Sequence, residues 1–125
     1  MAYAERHNVT IATAADGTAT GYTPVINGKI LNIIYTKAAS GNYDDGVDFA
    51  IIAETTGIGL WTEANVNATK TVCPKQPTHT QVGVANATAG DVLLADIFLA
   101  NERVKISIAE GGNVKTGTFT VIVGG

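Results

Sequence analysis

Apolar and polar residues alternate along most of this chain, in runs rich in β-branched side chains and bounded by Gly, Asn and Asp, which is how half-buried strands read. Helical periodicity is nearly absent. Val9, Ile11 and Thr13 alternate with Asn8, Thr10 and Ala12. Asp16-Gly17 follows and supplies the positive φ angles of a tight hairpin, so Thr18 to Val25 is expected to return as the partner strand. Asn27-Gly28 predicts a second turn ahead of the apolar run Leu31-Asn32-Ile33-Ile34-Tyr35, which suits a central strand covered on both faces. Residues 40–46, SGNYDDG, read as a polar loop, and Val47, Phe49 and Ile51 then alternate with Asp48, Ala50 and Ile52 as another core strand.

Gly57-Ile58-Gly59 breaks the chain, and a shorter extended piece runs from Leu60-Trp61-Thr62 through Val66 to about Val72. Pro74 and Pro77 exclude a central strand because neither ring nitrogen can donate to a ladder, so Cys73 to Gly90 is expected to be a long irregular excursion. Val92 to Ala100 is apolar, and Glu102 to Glu110 alternates Val104, Ile106 and Ile108 against Arg103, Lys105 and Ser107. Gly111-Gly112-Asn113 predicts a turn into Thr118 to Val123, closing a terminal hairpin. Eight or so short strands of this kind predict an all-β fold, an antiparallel β-sandwich or jelly roll forming a single domain over 1–125. Val9, Ile11, Ile33, Phe49, Ile51, Val104, Ile106, Phe119 and Val121 are the expected core, and no helix longer than about two turns is expected.

Composition narrows the function. The chain has 125 residues, a net charge of −3 and only 15% charged residues against 46% hydrophobic ones, so it should fold rather than remain disordered. Eight scattered Lys and Arg argue against a nucleic-acid partner, whose phosphates need clustered cations. No stretch approaches the roughly 20 apolar residues of a membrane helix, so no membrane partner is expected. A single cysteine, Cys73, forbids an internal disulfide and points to synthesis in a reducing compartment.

No constellation for catalysis stands out, and the chain is not expected to be an enzyme or to need a cofactor. Cys73, His7 and His79 are the obvious soft ligands, but a structural zinc site takes four ligands in close pairs. Asn42, Asp44, Asp45 and Asp48 surround Gly46 as calcium ligands might be spaced, yet position 53 is Ala where a calcium loop needs Glu, and Glu54 falls one past it; an acidic turn is the better reading. No metal is expected. Ser40 and Ser107 have no neighbouring base, and Gly57-x-Gly59 lacks the third Gly and the helix of a phosphate cradle. Trp61 reads as a core or interface anchor before a sugar platform, because aromatics are only 6% of the chain.

Several runs form a recognisable set: Gly46-Val47-Asp48-Phe49, Leu60-Trp61-Thr62-Glu63, Pro74 to His79, Asn101-Glu102-Arg103-Val104-Lys105 and Gly117-Thr118-Phe119, with Thr20 to Gly28 leading into Lys29-Ile30-Leu31. Together they resemble a family of small structural proteins of tailed bacteriophages, encoded near head genes; the segment between Gln81 and Asp96 matches least. The resemblance implies a virion protein that decorates or cements the capsid surface, made in the host cytoplasm, with the major capsid protein and copies of itself, as trimer or dimer, for partners. A tail, neck or receptor-binding module is the alternative. A Thr-, Asn-, Gly- and Ala-rich surface with few charges suits a permanent contact, since interface cores are depleted in charge. The N-terminal arm, residues 1–7, and the 73–90 loop hold few apolar residues, so neighbours are expected to order them, with folding back onto their own sandwich as the alternative. Tyr3, Arg6 and His79 are the expected contact residues, because Tyr and Arg are enriched at energetic centres of interfaces and His can donate from either ring nitrogen.

Overall fold

β-branched residues at every second position make the strands, and burial follows that alternation: β10 reads buried, half-buried, buried along its length, and β11 likewise. The computed structural model describes residues 3–86 and 93–125. Within them are eleven strands: β1 (Ala4–Ala12), β2 (Ala19–Tyr22), β3 (Ile26–Lys37), β4 (Asp48–Ala53), β5 (Gly59–Glu63), β6 (Lys70–Val72), β7 (Lys75–Pro77), β8 (Leu94–Asp96), β9 (Phe98–Glu102), β10 (Val104–Ala109) and β11 (Thr116–Gly124). One sheet runs β1-β11-β3-β6, with β9 also paired to β3; the other runs β2-β10-β4-β5; β7 and β8 form a separate ribbon. Every named pair is antiparallel. The protein is a single-domain antiparallel β-sandwich, with no helix among the described residues.

The two sheets enclose an aromatic centre. Phe49 is its hub, with ring centroids of Tyr35 at 4.8 Å, Phe119 at 4.9 Å and Trp61 at 5.4 Å, mostly edge-to-face as ring quadrupoles prefer. Ile33, Ile51, Val104, Ile106 and Val121 close around it, fully buried. Of the nine expected core residues only Val9 is half-buried, packed at the margin of this cluster.

Two expected hairpins are instead arches between sheets. Asp16-Gly17 does make a local turn, with Asp16 Oδ1 accepting from Thr18 N and Gly17 at φ +82°, but the strand that follows pairs with β10 and not with β1. Gly111-Gly112-Asn113 likewise carries the chain from β10 in one sheet to β11 in the other. The two arches lie against each other: Gly111 N donates to Gly17 O at 2.9 Å, and buried Thr13 donates to Gly112 O at 2.7 Å while accepting from Lys115 N. A turn residue specifies where the chain bends, and the sandwich decides which sheet receives it. Asn27-Gly28 is also no turn. Gly28, at φ +136°, sits inside β3 where its register against β9 shifts, a bulge in a continuous strand.

The expected arm is part of the domain from Ala4 onward. Ala4 to His7 forms the first half of β1 and pairs with Gly124 to Val121, so the backbone ladder supplies the order that the side chains do not. The 73–90 excursion is not irregular as far as it is described. Lys75–Pro77 pairs with Leu94–Asp96, and His79 bridges to Ala85. Met1 and Ala2 of the arm, residues 87–90 of the excursion, and Asp91 and Val92 lie outside the described residues. The polar loop 40–46 holds one residue that its composition hid: Tyr43 is buried and donates its hydroxyl to Ile11 O at 2.6 Å.

Candidate functional site

The three expected contact residues occupy different places. Tyr3 is 47% exposed, its hydroxyl donating to Asn27 O at 3.2 Å and its ring lying over Gly125. Arg6 stands exposed on the outer face of the first sheet, opposite Ile122 in the ladder. His79 is exposed on the ribbon, opposite Ala85. Tyr3 is linked to the ribbon's base, whereas among the described residues Arg6 makes no hydrogen bond or ion pair with either. The link runs through β3 and β9: Tyr3 touches the bulge at Gly28, Lys29 pairs with Phe98, and Lys29 Nζ lies 3.6 Å from Asp96 at the ribbon's base.

Asp96 also binds Lys75 across the ribbon. The bonded Lys75 ammonium, helped by Lys29, holds the Asp96 carboxyl below the usual carboxylate range. Beyond this base the ribbon is organised on Thr78, whose N–H and hydroxyl both donate to Leu93 O, while its carbonyl accepts from Asn86 N at 2.7 Å. Thr80 N donates to Val84 O, closing a turn at the tip. Val82, Val84, Leu93 and Leu94 remain in solvent on this element, and Phe98 beside its base is 66% exposed. These apolar residues are the part of the site that sequence reasoning missed. The available signal was Leu93-Leu94, two large aliphatics in succession, which a strand must point to opposite faces.

The other candidate chemistry is dispersed. His7 faces Glu5 at 3.3 Å in β1, Cys73 accepts from Asn32 Nδ2 at 3.2 Å, and His79 is on the ribbon. Around Gly46, Asp48 Oδ1 accepts from Asn65 N, Asp45 pairs with Lys37 at 3.5 Å, and the Asp44 carboxylate lies against Gly112. Among the described residues no three His, Cys, Asp or Glu side chains converge as metal ligands. Trp61 is buried, its indole donating to Glu63 Oε1 at 3.0 Å; Lys70, at 2.6 Å, and then that indole hold the Glu63 carboxyl below its ordinary range. A shallow groove of about 300 Å³ crosses the second sheet, lined by Asp48, Ala50, Thr62, Glu63, Ser107 and Ala109 among others. Ser107 has no histidine near it there. Ser40 lies in an exposed loop. No helix among the described residues is long and apolar enough to cross a membrane.

The class defined by these features is a small β-sandwich bearing a two-stranded ribbon with exposed aliphatic side chains. No family model matches the chain, and no curated protein matches it. Among solved structures it is similar to the crystal structure of FLHE, with 12% identity and a TM-score of 0.48 over 98% of this chain and 96% of that one. A likeness at that level carries no functional argument.

Proposed function

We propose that this chain is a tailed-bacteriophage virion protein that binds the outside of the head shell and stabilises it against internal pressure, contacting the major capsid protein and copies of itself. The observation that carries the reading is the ribbon's aliphatic side chains in solvent, Val82, Val84, Leu93 and Leu94, near Tyr3 and Phe98 at its base. Several exposed large aliphatic side chains carried on one element of a small domain mark an interaction site. The runs Gly46 to Phe49, Leu60 to Glu63 and Asn101 to Lys105 add the resemblance to small phage structural proteins. Tyr3, Arg6 and His79 belong to the contact in this reading.

Phage heads assembled without the protein test it. They form, but lose DNA on heating or at low salt sooner than complete heads, and added protein restores them. Equal robustness, or labelled protein found on the tail, refutes the reading.

A further inference from the structure

Strand β1 borders the first sheet and pairs only with β11. Two bonds just beyond the ladder fix which of its backbone groups face outward: Gly125 N donates to Tyr3 O at 3.2 Å, and Thr13 N donates to Lys115 O at 2.8 Å, both in the register that sets Ala4 opposite Gly124 and Ala12 opposite Thr116. In an antiparallel ladder, residues bonded to the partner strand alternate with residues that are not. With Tyr3 and Thr13 bonded, Glu5, His7, Val9 and Ile11 are bonded to β11 as well, and Ala4, Arg6, Asn8, Thr10 and Ala12 turn their N–H and C=O groups to the free side. Among the described residues nothing bonds to those groups. The side chains of the same five residues are all exposed, on the outer face of the sheet.

The other borders of the two sheets are blunted: β6 has three residues, β2 has four, and β5 and β9 meet their partners with register shifts. Short edges and bulges are the usual protection against strand addition. β1 has nine residues, neither Pro nor Gly, and an unbroken register. Its sequence also suits a second copy of itself. A two-fold axis perpendicular to the sheet at Asn8, the centre of Ala4–Ala12, pairs the whole strand: Asn8 with Asn8, Arg6 with Thr10 and Ala4 with Ala12 exchange backbone bonds through the open groups. Between them His7 meets Val9 and Glu5 meets Ile11, so no charge faces a like charge. An axis at Arg6 sets two guanidinium groups opposite each other and an axis at His7 sets two imidazoles together, and any axis other than Asn8 leaves one end of each strand unpaired.

From these observations we infer that the chain forms a two-fold dimer in which β1 pairs antiparallel with β1 of a second copy about Asn8, joining the first sheets of both copies into one continuous sheet. The inference goes beyond the head-decoration reading, because it concerns the chain free in solution. The pairing needs no rearrangement of the backbone, since the groups that make it already face outward. Any extended segment can match an edge in backbone bonds; the placing of Glu5, Arg6 and His7 along the strand is what selects a second copy in this register.

Sedimentation equilibrium of the full-length chain, joined to amide hydrogen exchange, tests this. The wild type sediments with twice the 12.9 kDa mass of the chain, and its Arg6, Asn8 and Thr10 amides exchange slowly. Asn8→Pro removes an N–H that faces outward, which an edge strand tolerates, so the variant stays folded and sediments as a monomer. Thr10→Lys sets a cation opposite Arg6 of the second copy and weakens dimerisation by about tenfold, the like-charge pair occurring twice across the axis. Adding Arg6→Glu restores the dimer, because positions 6 and 10 face each other only across the seam, and this comparison decides by itself if Asn8→Pro does not fold. A wild type that is monomeric up to its solubility limit, a folded Asn8→Pro that stays dimeric, or a double variant no tighter than Thr10→Lys overturns the β1 dimer. Arg6, Asn8 and Thr10 amides that slow only when heads are added give the edge to a capsid segment and overturn it too. None of these results decides head decoration, which is read separately from the robustness of heads lacking the protein.

Discussion

Replacing Tyr43 by Phe removes a single buried oxygen from the best-packed part of the molecule. The Tyr43 hydroxyl donates to Ile11 O at 2.6 Å, tying the 40–46 loop to β1, and burial pushes its ionisation far above the usual tyrosine range. Its ring stays in place in the variant, stacked on Tyr35 at 6.0 Å and edge-on to Phe49 at 6.1 Å, so no cavity opens. The loss is then that of a buried acceptor deprived of its donor, about 1–2 kcal/mol, a sizeable share of the roughly 5–15 kcal/mol that holds a domain together. For a chain of this length that corresponds to a fall of about 5–9 °C in the melting midpoint at the centre of the range. Urea unfolding monitored by tryptophan fluorescence measures it, because Trp61 is buried against Phe49. Tyr35→Phe is the control: Tyr35 is as buried, but no partner for its hydroxyl is found among the described residues, and its loss should cost less than about 0.5 kcal/mol. A Tyr43→Phe variant as stable as wild type, or a Tyr35→Phe variant equally weakened, refutes the account.

Two further outcomes follow from buried or bonded carboxylates. Glu102 is almost fully buried and its Oε1 accepts from Thr55 N, Thr56 N and Thr56 Oγ1, so Glu102→Ala should speed hydrogen exchange at Thr55 and Thr56 and cost about 1–3 kcal/mol. Asp96 is held below its ordinary range by Lys75, so its contribution is complete above about pH 4 and is lost as pH falls through the depressed value; exchange at Thr78 and His79 should accelerate there, and in Lys75→Ala at neutral pH.

Strand positions were legible in the sequence because burial imposes a period of two: Phe49 and Ile51, Ile106 and Ile108, Phe119 and Val121 all point inward as their alternation requires. Strand partners were not. Asp16-Gly17 and Gly111-Gly112 bear the same residues whether the chain returns beside itself or crosses to the facing sheet, and the choice is made by packing across the core. Tyr43 was hidden by its polar neighbours, although a lone aromatic among Gly, Asn and Asp is a reason to look for an anchored loop. Pro74 and Pro77 correctly removed the 73–90 segment from the central sheets; they leave room for a ribbon, since Pro77 sits at the end of β7. The exposure of Val82, Val84, Leu93, Leu94 and Phe98 escaped because it depends on the ribbon standing clear of the main core, which the alternation of the sequence does not reveal.

The position of β11 has a consequence for how the molecule is made. It lies between β1 and β3, pairing Ala4 with Gly124 on one side and Ile33 with Val121 on the other. During synthesis, β1 and β3 wait with facing open edges about 10 Å apart, twice the spacing of paired strands. Every strand of the second sheet falls between Ala19 and Ala109 and has left the ribosome before β11 does. That sheet can form early, whereas the first closes in one late step, with a loop of roughly a hundred residues to be closed for its β1 partner. Chains interrupted before Thr116 carry an empty slot lined by the inner faces of Ile11, Ile33 and Tyr35, open to any extended segment from a neighbouring chain. Synthesis through Gly124 is what makes the two edges unavailable, and quality control of this domain turns on β11.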